Sequence, residues 1–559
     1  MFLLPVGLAI CGLGCADGAE DPARLLDSSV DARLDRRTDL ERPDSQRPDA
    51  ARPDASEPLP VLVPEGFFAS VDGSPEAPGT FDEPWNLATA LGESIRENPS
   101  GFGPGDTLWI RGGTYRGEFE SFLSGTEDDP VHIRPFPREH VRIDGEKLAS
   151  DRQDALVISG AYSWFYDLEI TGTDGTEYRG GEEGRPPPTT GSVKIRAPHA
   201  KVIDFIVHNT SMGMSSSVSA DGGLATGAEF YGGAWFANGW RQYGSSRDHG
   251  HGGYLQNVHQ NEPIVARGAT FFENFNLAIQ CRSSSGAAKV DRFHLIGNMI
   301  YRSIGMFEGG GSDRSNLPTE HVFDENVLFE STFRFGQAGL HEQNFARGNH
   351  WWSSTLEVLN VTDFEIVDNR FYRPSGAAHS IVQYRTRDDV PTLFDPEVRI
   401  DRNRYYGVDP FHGRGTNDFF TNSGTSAIAW DEWIRHNDQA SSRAPLSTEP
   451  MLVYRSNPYV DRRGSIALIR SNREAVVPID LSELGFRSGD RYRIVFAFDP
   501  VLQGDEGLGL RIHKEGTFDG ELVRLALDGL SIAGKNGYDS PGVVRTAFRD
   551  DFFVFFVYE

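Results

Sequence analysis

"GPGDTLWIRGGTYRGEF", Gly103 to Phe119, reads as a strand, a Gly-Gly turn and a second strand. Ahead of it, "FDEPWNLATALGESIREN" carries Leu87, Ala90, Leu91 and Ile95 at helical spacing, which predicts a helix over Asn86–Asn98. Behind it, short apolar strands recur, among them "VHIRPF", "ALVISG", "FYDLEITG", "SVKIR", "GAEFYG", "GGYLQN", "FEIVDNRFY" and "VRIDRNRYY". Asn-Gly and Asp-Gly hairpin signals are few, which argues against a sandwich or a propeller. An asparagine followed closely by an aromatic or aliphatic residue repeats at Asn298, Asn326, Asn349, Asn369 and Asn403, with separations of 28, 23, 20 and 34. That range suits a solenoid. Each asparagine is expected to occupy a left-handed corner and to bond to its counterpart one coil away.

Gly105-Asp106-Thr107 followed by Arg111-Gly112-Gly113-Thr114-Tyr115 resembles the opening coil of bacterial proteins of the pectin-lyase-like superfamily. The resemblance implies an all-β fold, a right-handed parallel β-helix over residues 62–410. The early helix would cap its open end, because a solenoid end is an unpaired sheet edge over a bare core. Residues 411–447 read as a connecting segment with an amphipathic helix from Ala427 to Asn437. Residues 448–559 read as a small antiparallel, β-sandwich-like domain that caps the solenoid or binds sugar.

The chain's first fifteen residues, "MFLLPVGLAICGLGC", form an apolar run too short to span a bilayer. They are expected to be a signal peptide, and "GLGC" resembles a lipobox with Cys15 as the lipidated residue. Residues 16–61 repeat "RPD" and lack aromatic residues, which predicts a disordered tether. The expectation is an exported protein on the outer membrane or cell surface, or secreted, touching a membrane only through its lipid, and monomeric. Cys281 is the one cysteine outside the leader and is expected to be buried and inert. The net charge of -27 excludes the basic footprint of a nucleic-acid binder. An acidic polymer would therefore need a local cationic groove.

Alternation along the strands supplies such a groove. With Val193, Ile195, Phe230, Leu255, Leu277, Ile279, Cys281, Phe333 and Phe335 pointing inward, Lys194, Arg196, Glu229, Tyr231, Tyr254, Gln256, Gln280, Arg282 and Arg334 point outward. Stacked in one strip, with Leu255 one coil before Ile279, they offer cations for uronate carboxylates, rings for sugar faces and amides for hydroxyls.

"RDHGHGG", Arg247 to Gly253, feeds this strip, and three readings stay open. His251 or His249 works as a base with Tyr254 as acid and Arg282 or Arg247 as carboxylate clamp, the set that β-elimination beside a uronate needs. Alternatively Asp248, His249 and His251 bind a metal, although no third or fourth ligand is near. Or the segment is a polar corner whose glycines permit close approach. The superfamily resemblance implies pectate, pectin, alginate or chondroitin lyases, or polygalacturonases. The hydrolases use clustered aspartates with Gly-His-Gly. Here Gly250-His251-Gly252 is present, but Asp128-Asp129 and Asp388-Asp389 fall outside the expected context. The reading is a protein that binds or cleaves an acidic polysaccharide, by lyase chemistry with no cofactor, or calcium. A non-catalytic adhesin and a structural envelope solenoid are the alternatives.

Overall fold

Short strands that each bury alternate side chains become stable when successive turns of the chain stack and share one core. The computed structural model describes residues 63–92, 101–145, 154–172, 193–216, 225–241, 248–257, 262–282, 291–308, 318–336, 341–359, 361–374, 382–385, 398–407, 420–422, 426–427, 440–502, 508–534, 544–548 and 550–559. These form three long sheets of twelve strands each, parallel except for one terminal strand in sheet C. Sheet A begins at Phe67–Ala69, sheet B at Gly113–Arg116 and sheet C at Phe119–Ser121. The chain visits A, B and C in turn, as in Thr319–Asp324, Val327–Phe329 and Thr332–Phe335, and then returns to A at Glu342–Arg347. Parallel connections of this kind wind right-handed. The architecture is a right-handed parallel β-helix, the all-β fold that the sequence resemblance implies.

Inside sheet A, Leu108, Ile133, Phe165, Val202 and Phe230 stack in register and are fully buried. Each such burial contributes about 1.5–3 kcal/mol. Cys281 lies in the same core, and burial pushes its thiol pKa up, as an inert cysteine requires. At the N-terminal end, the helix Leu87–Leu91 is capped by Asn86, whose Oδ1 accepts from the Thr89 amide at 2.8 Å. Leu87, Ala90 and Leu91 close over the solenoid core beside the first strands of sheets A and C. The remainder of the expected helix lies outside the described residues.

The five asparagines form a ladder at the corner between sheets A and B. Each of Asn298, Asn326, Asn349 and Asn369 donates from Nδ2 to the Oδ1 of the next, at 2.9–3.0 Å. The same Oδ1 atoms accept the backbone amides of those four residues. The left-handed residue is not the asparagine, as expected, but the one before it. Gly297, Glu325, Gly348, Asp368 and Arg402 all have φ between 56° and 66°. The preceding residue makes the bend, which leaves the asparagine side chain to tie one coil to the next.

The C-terminal domain contains an antiparallel five-stranded sheet in the order Met451–Ser456, Gly464–Ile469, Phe552–Tyr558, Arg491–Phe496, Ile512–Thr517. It does not act as an end cap. It lies along the flank of the solenoid, where Phe236, Phe272, Tyr301 and Phe329 on the outer face of sheet B pack against Phe498 and Phe552. The outward positions of sheet B are aromatic here, so the solenoid carries a second apolar face that has to be covered. At one edge of the contact, Arg463 Nη1 sits 2.6 Å from Asp167 Oδ1 and 3.2 Å from Asp204 Oδ2. Asn457 Nδ2 donates to Asp204 Oδ2 at 2.7 Å. Of the segment expected to hold a helix from Ala427, Ser426–Ala427 is a short strand and residues 428–437 lie outside the described set.

Candidate functional site

Sheet C leaves its outer side chains clear of the C-terminal domain's core, and its register fixes which of them meet. Lys194, Ser215, Tyr254, Gln280, Met306, Arg334 and Glu357 follow one another, one per coil. Gln256, Arg282 and Glu308 run alongside two residues further on, Arg282 paired in register with Glu308. Between the strands of Tyr254 and Gln280 the alignment differs from the expected one by two residues. Leu255 pairs with Cys281 and not with Ile279. A slip of two residues moves side chains along the strand but keeps them on the same face, so Tyr254, Gln256, Gln280 and Arg282 do share the outer face of adjacent strands.

Glu229 and Tyr231 do not belong there. Their strand, Glu229–Tyr231, pairs in sheet A with Lys201–Ile203 and Ile264–Arg267. The place in sheet C expected for Glu229–Tyr231 is taken by Met214–Ser216. Glu229 accepts from Tyr459 Oη at 2.5 Å and lies 3.3 Å from Lys201 Nζ. Tyr231 Oη donates to the Ser456 carbonyl at 3.2 Å. Both serve the seam with the C-terminal domain. Their alternation was right, but alternation does not say which of three sheets a strand joins. Arg247 lies outside the described residues.

The glycines of "RDHGHGG" answer to close packing at the corner between sheets B and C. Trp240–Arg241 and Asp248–His249 form a small antiparallel ribbon, in which the His249 ring stacks on Trp240 at 4.1 Å. Gly250, with φ of 76°, lies so near Gly239 that a Cβ there would come within 2.4 Å of its Cα. A Cβ on Gly252 would meet the Ala278 carbonyl at 2.5 Å and Asn274 Nδ2 at 2.7 Å. Gly252 also lies over Asn274, which is itself bonded to Asn238 at 3.1 Å. The corner reading therefore accounts for the glycines, and it leaves the histidine to be explained.

His251 opens the strand His251–Leu255 and is buried, with its ring 6.0 Å from that of Tyr254 and within 15° of parallel. Among the described residues its Nδ1 has no hydrogen-bond partner. Burial first, then the positive charges of His249 and Arg282, push its pKa down to about 4. It is a neutral imidazole at neutral pH. Beside it, Gln256 Nε2 donates to Tyr254 Oη at 3.4 Å. Gln280 donates to Glu308, and Arg282 Nε lies 3.6 Å from Glu308 Oε1.

Sequence reasoning missed the carboxylates. Each cation of the strip has one: Asp154 at 3.4 Å from Lys194, Glu120 at 3.8 Å from Arg196, Glu308 beside Arg282, and Glu357 at 2.6 Å from Arg334. Glu308 and Glu357 were visible in principle, as the outward positions of "IGMFE" and "TLEVL". These carboxylates are occupied by cations, and among the described residues no three His, Cys, Asp or Glu side chains are arranged to hold a metal ion. Among the described residues, the carboxylates of the strip do not assemble the six or more oxygen ligands that calcium takes.

No family model matches the chain. A pectate lyase of Emericella nidulans, PEL9, is 33% identical over 126 residues, which are 20% of this chain and 29% of that protein, so the match spans less than a third of its length. The tailspike protein gp49 of Acinetobacter baumannii bacteriophage Fri1, a capsular polysaccharide depolymerase, aligns over 88% of this chain and 84% of its own with a TM-score of 0.38 at 11% identity. Pectate lyase Pel9A aligns over 60% and 78% with a TM-score of 0.31 at 13% identity.

Proposed function

We propose that this protein acts on an acidic polysaccharide held across the outer face of sheet C and cleaves it by β-elimination. The supporting observation is a neutral His251, its Nδ1 without a hydrogen-bond partner among the described residues, its ring 6.0 Å from the Tyr254 ring, with Arg282 on the adjacent strand close enough to lower its pKa. Arg282 would neutralise the carboxylate of the uronate and so acidify the neighbouring C5 proton. His251 would take that proton. The electron pair would form the C4=C5 double bond as the C4–O bond breaks, and Tyr254 would give its proton to the leaving oxygen. Lys194, Arg196, Gln256 and Gln280 would hold flanking sugars. Likeness to a pectate lyase, over a fifth of the chain, supports the substrate class.

The test is ultraviolet absorbance of the unsaturated product with hyaluronan, chondroitin, alginate and pectate as substrates, in chelator. Product formation by the unaltered chain and loss of about a hundredfold or more in His251→Ala is the expected outcome. No product on any polymer would favour the second reading, a glycan-binding surface without catalysis. The full pairing of the strip's cations with carboxylates favours that reading.

We also infer export and lipid attachment at Cys15, with the protein monomeric on the cell surface. Incorporation of a fatty-acid label that disappears in Cys15→Ser tests this, and label retained in the variant would refute it.

A further inference from the structure

The register of sheet C bears on the kind of polymer, an inference that rests on the polysaccharide reading above. Neighbouring strands lie about 4.8 Å apart, close to the rise of one sugar in an extended glycan laid along the solenoid axis. The face therefore presents one coil per sugar. Among the described residues, its cations are sparse on that scale. Lys194 and Arg196 share one coil, Arg282 comes three strands later, and Arg334 two strands after that. In the two coils between Arg196 and Arg282, Ser215, Tyr254 and Gln256 supply a hydroxyl, a ring and an amide. Between Arg282 and Arg334 stands Glu308, and directly after Arg334 stands Glu357, with side chains only 9% and 12% exposed.

A polymer with a carboxylate on every sugar would set several of its charges beside Glu308 and Glu357, where there is little water to screen them. The chain's overall charge of -27 adds to that repulsion. A polymer with isolated acids would place each one at a cation and its uncharged sugars at the ring, the amide and the carboxylates, which accept hydroxyl donors well. We infer that the preferred polymer carries its acidic groups singly, separated by one or two neutral sugars. A homopolymer of uronate is the disfavoured case.

Binding of the full chain to hyaluronan, with an acid on alternate sugars, should be compared with polygalacturonate, with an acid on every sugar, and with neutral dextran at one salt concentration. Hyaluronan should bind at least about tenfold more tightly than either, the equivalent of one well-matched charged contact. Arg334→Gln should weaken hyaluronan binding, and Glu357→Gln should strengthen polygalacturonate binding, both with an unchanged circular dichroism spectrum. Polygalacturonate or dextran bound as tightly as hyaluronan overturns the inference and leaves a polysaccharide function standing. So does an Arg334→Gln variant with full affinity for hyaluronan. Binding to none of the three overturns the polysaccharide reading and this inference together.

Discussion

His251 stays unprotonated because burial and two nearby cations oppose a third charge, and this makes it sensitive to acid in two separable ways. As a base it works only while neutral, so kcat/KM should fall as pH drops through about 4 and should be flat near neutrality. A profile that falls below pH 6 to 7 instead would assign the base elsewhere. Stability responds over a different window. The unfolded chain takes up a proton near the ordinary histidine value of 6.5, and the native state does so only near 4. His341 and His350 are held neutral down to about 3, chiefly by burial. Native stability should therefore be full above pH 6.5 and decline as pH falls toward 3. Each unit of pH inside the window costs about 1.4 kcal/mol per histidine. Urea midpoints across that range check it, and His341→Phe should flatten part of the slope.

At the level of elements, the asparagine ladder carries the corner between sheets A and B. Asn349 donates to Asn369 and to the Phe323 carbonyl, and its Oδ1 serves two donors of Asn326. Asn349→Ala removes one link and leaves those buried donors and acceptors without partners, which should cost on the order of 1–3 kcal/mol. A variant that unfolds at the parent's urea concentration would show the ladder to be ornamental. These asparagines were legible in the sequence because the ladder needs the same residue at the same place in every coil. The strip was legible only by half. Alternation correctly turned Lys194, Tyr254, Gln280, Arg282 and Arg334 outward. Yet "EFY" and "MSS" are equally good strands, and only the closed coil decides that the first joins sheet A and the second sheet C. The pairings stayed hidden for the same reason, since each carboxylate sits on another coil from its cation, Glu120 two strands from Arg196.

For the whole molecule, the decisive arrangement is the C-terminal domain seated on sheet B. Its strands were legible, but its seat was not, because the aromatic residues that receive it recur among others that face the core. Arg463 ties the seat down between Asp167 and Asp204. Arg463→Met would leave two carboxylates facing each other beside the interface and should lower stability by about 3–5 kcal/mol; unchanged calorimetric melting would argue that the arginine contributes nothing net. The seat has a further effect. A stack of coils holding only to its nearest neighbours opens progressively from its ends. Here one rigid sheet grips successive coils from Ile206 to Phe329 through a continuous apolar core. Those coils can no longer open one at a time. In amide hydrogen exchange they should lose protection together, as a single late unit, while the strands from Phe364 to Gly407 exchange earlier and piecemeal. The flanking domain turns half of a zipper into a clasp.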